Sequence, residues 1–112
     1  MAESTIDATT FAELQAAAGD DFVRELVDTF LEEAPPMLAA LRAALATGTA
    51  EAFRRTAHSL KSNANTFGAL GLAAQARDLE LQGVAAASPA TLDALDAEFA
   101  RVAAALKALR DG

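Results

Sequence analysis

The chain's only histidine, His58, falls on the polar side of a predicted helix. At about 100° per residue, the apolar side chains of this helix lie within about 40° of one line, and His58 lies about 140° from the centre of that face. The apolar face consists of Phe53, Ala57, Leu60, Ala64 and Phe67. Arg54, Lys61 and Asn65 lie at about 100°, 80° and 120° from the same centre, so they share a polar stripe with His58. An outward imidazole beside a lysine can act as a nucleophile, because its neutral form has an unprotonated ring nitrogen.

The residues around His58 are basic in a chain that is otherwise acidic. The whole protein carries a formal net charge of −7, whereas residues 52–67 contain Arg54, Arg55 and Lys61 and no carboxylate. The acidic balance argues against binding to nucleic acid, which needs a basic face for its phosphates, and against anionic membranes. The basic patch therefore marks His58 as the candidate site.

Length and composition limit the remaining classes of function. At 112 residues the chain is expected to form one domain over residues 1–112, with a bundle core at about residues 20–110. It has no cysteine and one histidine, so it cannot build a disulfide framework, a zinc cluster or a thiol nucleophile. The N-terminus lacks the basic start of a signal peptide, and no stretch approaches the ~20 apolar residues of a membrane span. We therefore expect a cytosolic protein without a metal site.

The sequence up to Gly48 predicts two helices. The first covers about residues 10–18, because Thr10 and Glu13 have the spacing of a capping box. The second begins with Asp20 as its cap and ends at Gly48. Its apolar positions, which follow the helical period, are Phe22, Leu26, Phe30, Met37, Leu38, Leu41 and Leu45. Pro35-Pro36 remove two backbone donors, so a kink or a short break is expected near residues 33–36, and the kink is preferred because the apolar pattern resumes afterwards.

Three further helices are predicted after Gly48. The third, capped by Thr49, carries His58 and ends at Gly68. The fourth has helical spacing of Leu72, Ala76, Leu79 and Gly83. The fifth opens at Ser88-Pro89, and its apolar stripe comprises Leu92, Leu95, Phe99, Val102, Leu106 and Leu109. No strand pattern competes, so the predicted fold is all-α: an antiparallel four-helix bundle with a short extra N-terminal helix across one end.

A purely structural role for these residues stays open on spacing and charge alone. A lone histidine in a small helical protein is usually a surface or core residue without chemistry. Arg54 and Lys61 could be solvated surface charges, and the basic cluster could pair with acids such as Glu51 for about 0.2 to 0.5 kcal/mol a pair.

The segment from Ala57 to Gly68 resembles the signature of histidine phosphotransfer (HPt) domains, which is roughly A-H-x-L-K-[G/S]-x5-G. The match begins at Ala57-His58-Ser59-Leu60-Lys61-Ser62 and is completed by Gly68. The length, the acidic charge, the Phe-Leu-Glu-Glu-Ala-Pro stretch of the second helix and the helical hairpin after the motif are also similar to that family, over roughly residues 8–110. The resemblance implies a four-helix bundle that displays the histidine on one of its helices.

The resemblance also implies roles for individual residues. His58 would be the phosphoryl-accepting nucleophile, and Lys61 the neighbouring cation that stabilises phosphoryl oxygens. A Gln or Glu on the next helix accepts a hydrogen bond from the other ring nitrogen in such domains, and the family spacing of 22 residues falls on Glu80. This contact would fix the tautomer and leave Nε2 to carry phosphate.

The resemblance also implies partner-binding or structural roles for other residues near His58. Arg54 and Arg55 would add to the positive potential that faces a partner, and Ser62 and Asn65 would contact it. Gly68 would be structural, either through close approach of backbones or through a left-handed turn between two helices.

As a function, the resemblance implies a phosphorelay carrier that accepts phosphate from the aspartyl phosphate of one receiver domain and passes it to the aspartate of another. It would be no enzyme with an ATP or kinase site of its own, would need no cofactor, and would rely on Mg²⁺ held by the receiver. Its partners would be response-regulator receivers or a hybrid histidine kinase, and we expect a monomer. Two alternatives stay open: a helical module that docks receivers without accepting phosphate, and a structural protein that oligomerises through apolar faces.

Overall fold

Five α-helices joined by short turns make up the computed structural model, which describes residues 5–112. The helices are α1 (Ala8–Ala18), α2 (Asp20–Thr47), α3 (Ala50–Phe67), α4 (Leu70–Gln82) and α5 (Pro89–Asp111). A single 3₁₀ turn, Val84–Ala86, lies between α4 and α5. Residues 5–112 contain no β-strand, which confirms the all-α prediction.

Four of the helices close a ring around one core. Helix α2 packs against α3, α3 against α4, α4 against α5, and α5 against α2, while α1 packs against α2 and α3. Helices α2 and α5 are antiparallel, because Arg42 near the end of α2 lies 2.6 Å from both Asp93 and Asp96 near the start of α5. The largest fully buried side chains are Phe53, Leu41, Leu60, Leu72, Leu92, Leu95, Leu106, Val27 and Val102. The predicted four-helix bundle with an extra N-terminal helix is therefore confirmed.

The start of α1 differs from the sequence prediction. Asp7, and not Thr10, is the N-cap, and its carboxylate accepts hydrogen bonds from the Thr10 backbone N–H at 3.0 Å and from the Thr10 hydroxyl at 2.6 Å. Thr10 thus occupies the third helical position. An aspartate caps a helix at least as well as a threonine, so the helix begins two residues earlier than the predicted residue 10.

Three residues that were assigned to apolar faces lie outside the core. Phe22 is 52% exposed and Leu109 is 44% exposed, and Gly83 follows the last residue of α4. On α2 the core positions are held instead by Val23 and Val27, which are 2% and 0% exposed. A shift by one residue turns a side chain by about 100°, so Phe22 faces solvent once Val23 faces the core.

Helix α2 continues as one helix through Pro35 and Pro36, so the short break that the sequence left open near residues 33–36 is absent. The carbonyls that lose their helical donors belong to Leu31, which is half-buried, and Glu32, which is exposed, so water can replace the missing donors. Ala34, directly before the prolines, is fully buried. The core face of α2 therefore runs past the proline pair.

Gly68 ends α3 in the left-handed conformation, with φ of 79°, and contacts the start of α1. Its carbonyl accepts a 2.8 Å hydrogen bond from the backbone N–H of Asp7. A Cβ atom at this position would lie 2.9 Å from the Thr10 Cβ and 3.0 Å from the Asp7 carbonyl oxygen. Both the φ angle and the close approach therefore require glycine.

We expect Gly68→Ala to lower the free energy of unfolding by about 2 to 4 kcal/mol, because it combines left-handed strain with a steric clash. Gly48→Ala is the matched control, since Gly48 ends α2 with φ of 70° but has open space where a Cβ atom would lie. We expect Gly48→Ala to lower the free energy of unfolding by about 1 to 2 kcal/mol, because it introduces left-handed strain without a clash. Urea denaturation followed by circular dichroism measures both variants, and equal losses would contradict a role for the contact with α1.

Candidate functional site

His58 projects from the middle of α3 into solvent. Ala57 and Leu60 on either side of it are fully buried against the bundle, and their burial fixes the rotation of the helix. The His58 side chain is 57% exposed. A partner molecule can therefore reach the imidazole without any rearrangement of the fold.

Glu80 reaches the same imidazole from α4. Helices α3 and α4 are joined by Gly68 and Ala69 and run antiparallel, which brings position 80 opposite position 58. The Glu80 Oε2 atom lies 2.8 Å from His58 Nδ1. A carboxylate can only accept a hydrogen bond, so Nδ1 carries the proton in this contact and Nε2 is left unprotonated in the neutral ring.

Lys61 binds the second oxygen of the same carboxylate. Its Nζ atom lies 2.9 Å from Glu80 Oε1, and the Lys61 and Glu80 side chains are only 25% and 16% exposed. The contact is an ion pair rather than a well-directed hydrogen bond, because Oε1 lacks a partner with hydrogen-bond geometry among residues 5–112. The Lys61 ammonium, followed by the His58 ring, holds the pKa of Glu80 below its usual range, while desolvation opposes this shift.

The Lys61–Glu80 ion pair was not predicted from the sequence. Lys61 was expected to bind phosphoryl oxygens and Glu80 to bind the imidazole, each separately. The available signal was positional: Lys61 follows His58 by one helical turn, so an acid that faces His58 across an antiparallel hairpin also faces Lys61.

The other predicted site residues lie on the exposed surface of α3. Arg54 forms an ion pair with Glu51 at 2.8 Å, as the structural alternative anticipated. Arg55 is exposed and makes no ion pair with any residue from 5 to 112. Ser62 and Asn65 are both exposed. Arg55 is therefore the member of the basic patch whose charge is not offset by an acid within the described chain.

A shallow groove between α2 and α3 adjoins this surface. Its volume is about 250 Å³, and it is lined by Met37, Ala52, Arg55, Thr56 and Ser59. Ser59 directly follows His58 in the chain. The groove thus combines two apolar side chains, two hydroxyls and the Arg55 cation on the stretch of α3 that also carries His58.

Two further properties concern the described chain as a whole. Over residues 5–112, acidic and histidine side chains nowhere gather in threes in a way that would hold a metal ion. Within the same range, none of the helices has the length and apolar character needed to cross a membrane.

Comparison with known proteins connects this geometry to a family. The family model described as "Hpt domain" matches residues 25–111. Among solved structures, the chain is similar to histidine-containing phosphotransfer protein B (HptB) from Pseudomonas aeruginosa PAO1, with 34% identity, a TM-score of 0.88, and coverage of 98% of this chain and 97% of that chain. No curated protein matches the chain significantly. Since the family model spans most of the helical bundle and the solved relative covers nearly all of it, the chain belongs to the Hpt domain family, whose members carry phosphoryl groups on histidine in phosphorelays.

Proposed function

We propose that His58 is the residue that accepts the phosphoryl group, from the aspartyl phosphate of a receiver domain, and that it passes the group to the aspartate of another response regulator. The observation that carries this proposal is the contact between Glu80 and His58 Nδ1. In the neutral ring this contact leaves Nε2 unprotonated, and the His58 side chain is 57% exposed. A lone pair on an accessible nitrogen can attack the phosphorus atom in line with the bond that breaks.

The neighbouring charges have defined parts in this proposal. Lys61 stabilises the phosphoryl oxygens as charge moves onto them, and Glu80 orients the ring. The protein needs no cofactor of its own, because Mg²⁺ in the receiver domain supplies the metal. It acts as a carrier without an ATP-binding or kinase site, as a monomer in the cytoplasm.

The docking surface in this proposal is the groove between α2 and α3 together with the outer face of α3. Met37 supplies an adaptable apolar contact, and Arg55 supplies a positive charge towards the acidic pocket of a receiver. Ser62 and Asn65 are exposed on the same helix and offer small polar contacts.

The test is phosphoryl transfer from a purified, phosphorylated receiver domain in the presence of Mg²⁺. We expect the protein to gain one phosphate that is lost in acid and kept in alkali, and we expect ³¹P–¹⁵N correlation to place it on Nε2. Acid-stable phosphate, or phosphate on Nδ1, would contradict the proposal. Binding of several receivers without any transfer would favour a docking module instead.

Arg55→Ala should slow the association with a receiver by about threefold to tenfold at low salt, with a smaller effect at high salt, because an exposed interface charge acts mainly on the association rate. Lys107→Ala is the control, since Lys107 is an exposed cation on α5. Stopped-flow binding at two salt concentrations measures both. Equal rates for the two variants would place the docking surface away from the groove.

A further inference from the structure

The Glu80 carboxylate contacts two side chains at once, the His58 imidazole and the Lys61 ammonium group. Oε2 binds the imidazole at 2.8 Å, and Oε1 binds the Lys61 ammonium at 2.9 Å. In the unphosphorylated protein, therefore, Lys61 largely neutralises the acid that faces the ring. A glutamine could accept the same hydrogen bond from Nδ1 but would have no charge for Lys61 to neutralise.

We propose that Lys61 changes partner during transfer, from Glu80 in the free protein to the phosphoryl group in the phosphorylated protein, and that this exchange frees the Glu80 charge to stabilise the positively charged ring. The inference rests on the proposed function, because it assumes that His58 is the acceptor. In this proposal Glu80 does more than orient the ring. Its carboxylate also acts as a counter-ion once phosphorylation has made the ring positively charged.

The balance of charge in the transfer step explains why a counter-ion is useful. Nε2 attacks with its lone pair, the Nε2–P bond forms, the P–O bond to the receiver aspartate breaks, and its electron pair leaves with the aspartate carboxylate. No proton leaves the ring, so Nδ1 keeps its hydrogen and the phosphorylated ring carries a positive charge. In the reverse step, the Nε2–P electrons return to the ring, and a ring that has kept the Nδ1 proton leaves as neutral imidazole rather than as an anion.

The geometry allows Lys61 to move between the two partners. Lys61 lies one helical turn after His58, so both side chains leave α3 on the same side. The lysine side chain is flexible and carries a compact charge. Phosphoryl oxygens on Nε2 would present about two negative charges, as a phosphate monoester does near neutral pH, against the single charge of Glu80. The Lys61 ammonium is therefore attracted more strongly to the phosphoryl group than to Glu80.

Glu80→Gln is the decisive variant, because it keeps an acceptor for Nδ1–H and removes only the charge. A hydrogen bond to an ionised acceptor is about twice as strong as one to a neutral acceptor. A neutral acceptor holds the Nδ1 hydrogen of the phosphorylated ring less firmly, and a ring without that hydrogen would have to leave phosphorus as an anion. We therefore expect both acceptance of phosphate and onward transfer to slow by about fivefold to tenfold, and the half-life of the phosphohistidine to lengthen by a similar factor. If Glu80 only orients the ring, Glu80→Gln would slow acceptance without lengthening the half-life of the phosphohistidine.

The control variant is Asp78→Asn, which removes one negative charge from an exposed position of α4, about 160° around the helix from Glu80. It should match the wild type in all three rates. Lys61→Met should slow acceptance, because no ammonium group stabilises the phosphoryl oxygens. It should not lengthen the half-life of the phosphohistidine, because the Glu80 charge is free in this variant as it is in the phosphorylated wild type. Circular dichroism establishes that each variant is folded.

The exchange itself can be observed by ¹⁵N nuclear magnetic resonance of the Lys61 ammonium in the wild type, before and after phosphorylation. We expect its Nζ signal to shift on phosphorylation, and the same signal in Glu80→Gln to start from a different position. An unchanged Lys61 signal, or a Glu80→Gln phosphohistidine with the wild-type half-life, would overturn the inference while leaving His58 as acceptor. Failure of the wild type to gain phosphate on His58 would instead overturn the proposed function.

Discussion

Replacement of His58 by glutamine is expected to abolish acceptance of phosphate from a receiver domain and to leave the bundle folded. Glutamine is similar in size to histidine and polar, but its amide nitrogen has no lone pair that can attack phosphorus. The His58 side chain is 57% exposed and lies outside the core, so the loss of stability should stay within about 0.5 kcal/mol. Transfer should therefore fall to the background of a reaction without the protein.

The measurement follows acid-labile phosphate on the wild type and on His58→Gln, with a phosphorylated receiver and Mg²⁺ in both reactions. Binding of the unphosphorylated receiver is measured in parallel and should change little, because the groove and Arg55 are untouched by the substitution. Labelling of the variant at the wild-type rate would move the acceptor to another residue. Loss of binding together with transfer would show that the imidazole also contributes to docking.

Phe53→Ala is expected to lower the free energy of unfolding by about 3 to 5 kcal/mol, the largest effect on stability that we predict. Phe53 is fully buried in the centre of the bundle, one helical turn before Ala57 and His58. Removal of its ring loses apolar contacts and leaves a cavity that the neighbouring helices fill only in part. The free energy of unfolding of a typical domain is about 5 to 15 kcal/mol, so Phe53→Ala removes a large part of the stability.

Phe22→Ala provides the matched control, because it makes the same chemical change at a side chain that is 52% exposed. We expect it to cost less than about 1 kcal/mol. Urea denaturation measured by circular dichroism yields both values. If the two phenylalanines cost the same, the assignment of Phe53 to the core and of Phe22 to solvent would be wrong, and with it the rotation of α2.

Local sequence was sufficient to predict the helices and the exposure of His58. The apolar side chains of α3 recur at the helical period, and all five of them are buried, because a helix with one apolar stripe turns that stripe to the core wherever the core lies. The ends at Gly48 and Gly68 were also predictable, since a left-handed residue after a helix strongly favours glycine. These features depend on neighbours within one or two turns of chain.

Contacts between helices were decided by the tertiary structure. Which residue of α2 faces the core, Phe22 or Val23, depends on how α2 packs against α3 and α5, and the helical period alone tolerates either. The clamp of Arg42 on two aspartates of α5 and the ion pair of Lys61 with Glu80 join residues that are distant in sequence. A family spacing pointed to Glu80, but the sharing of its two oxygens between a ring and an ammonium group follows only from the distances between side chains on two packed helices.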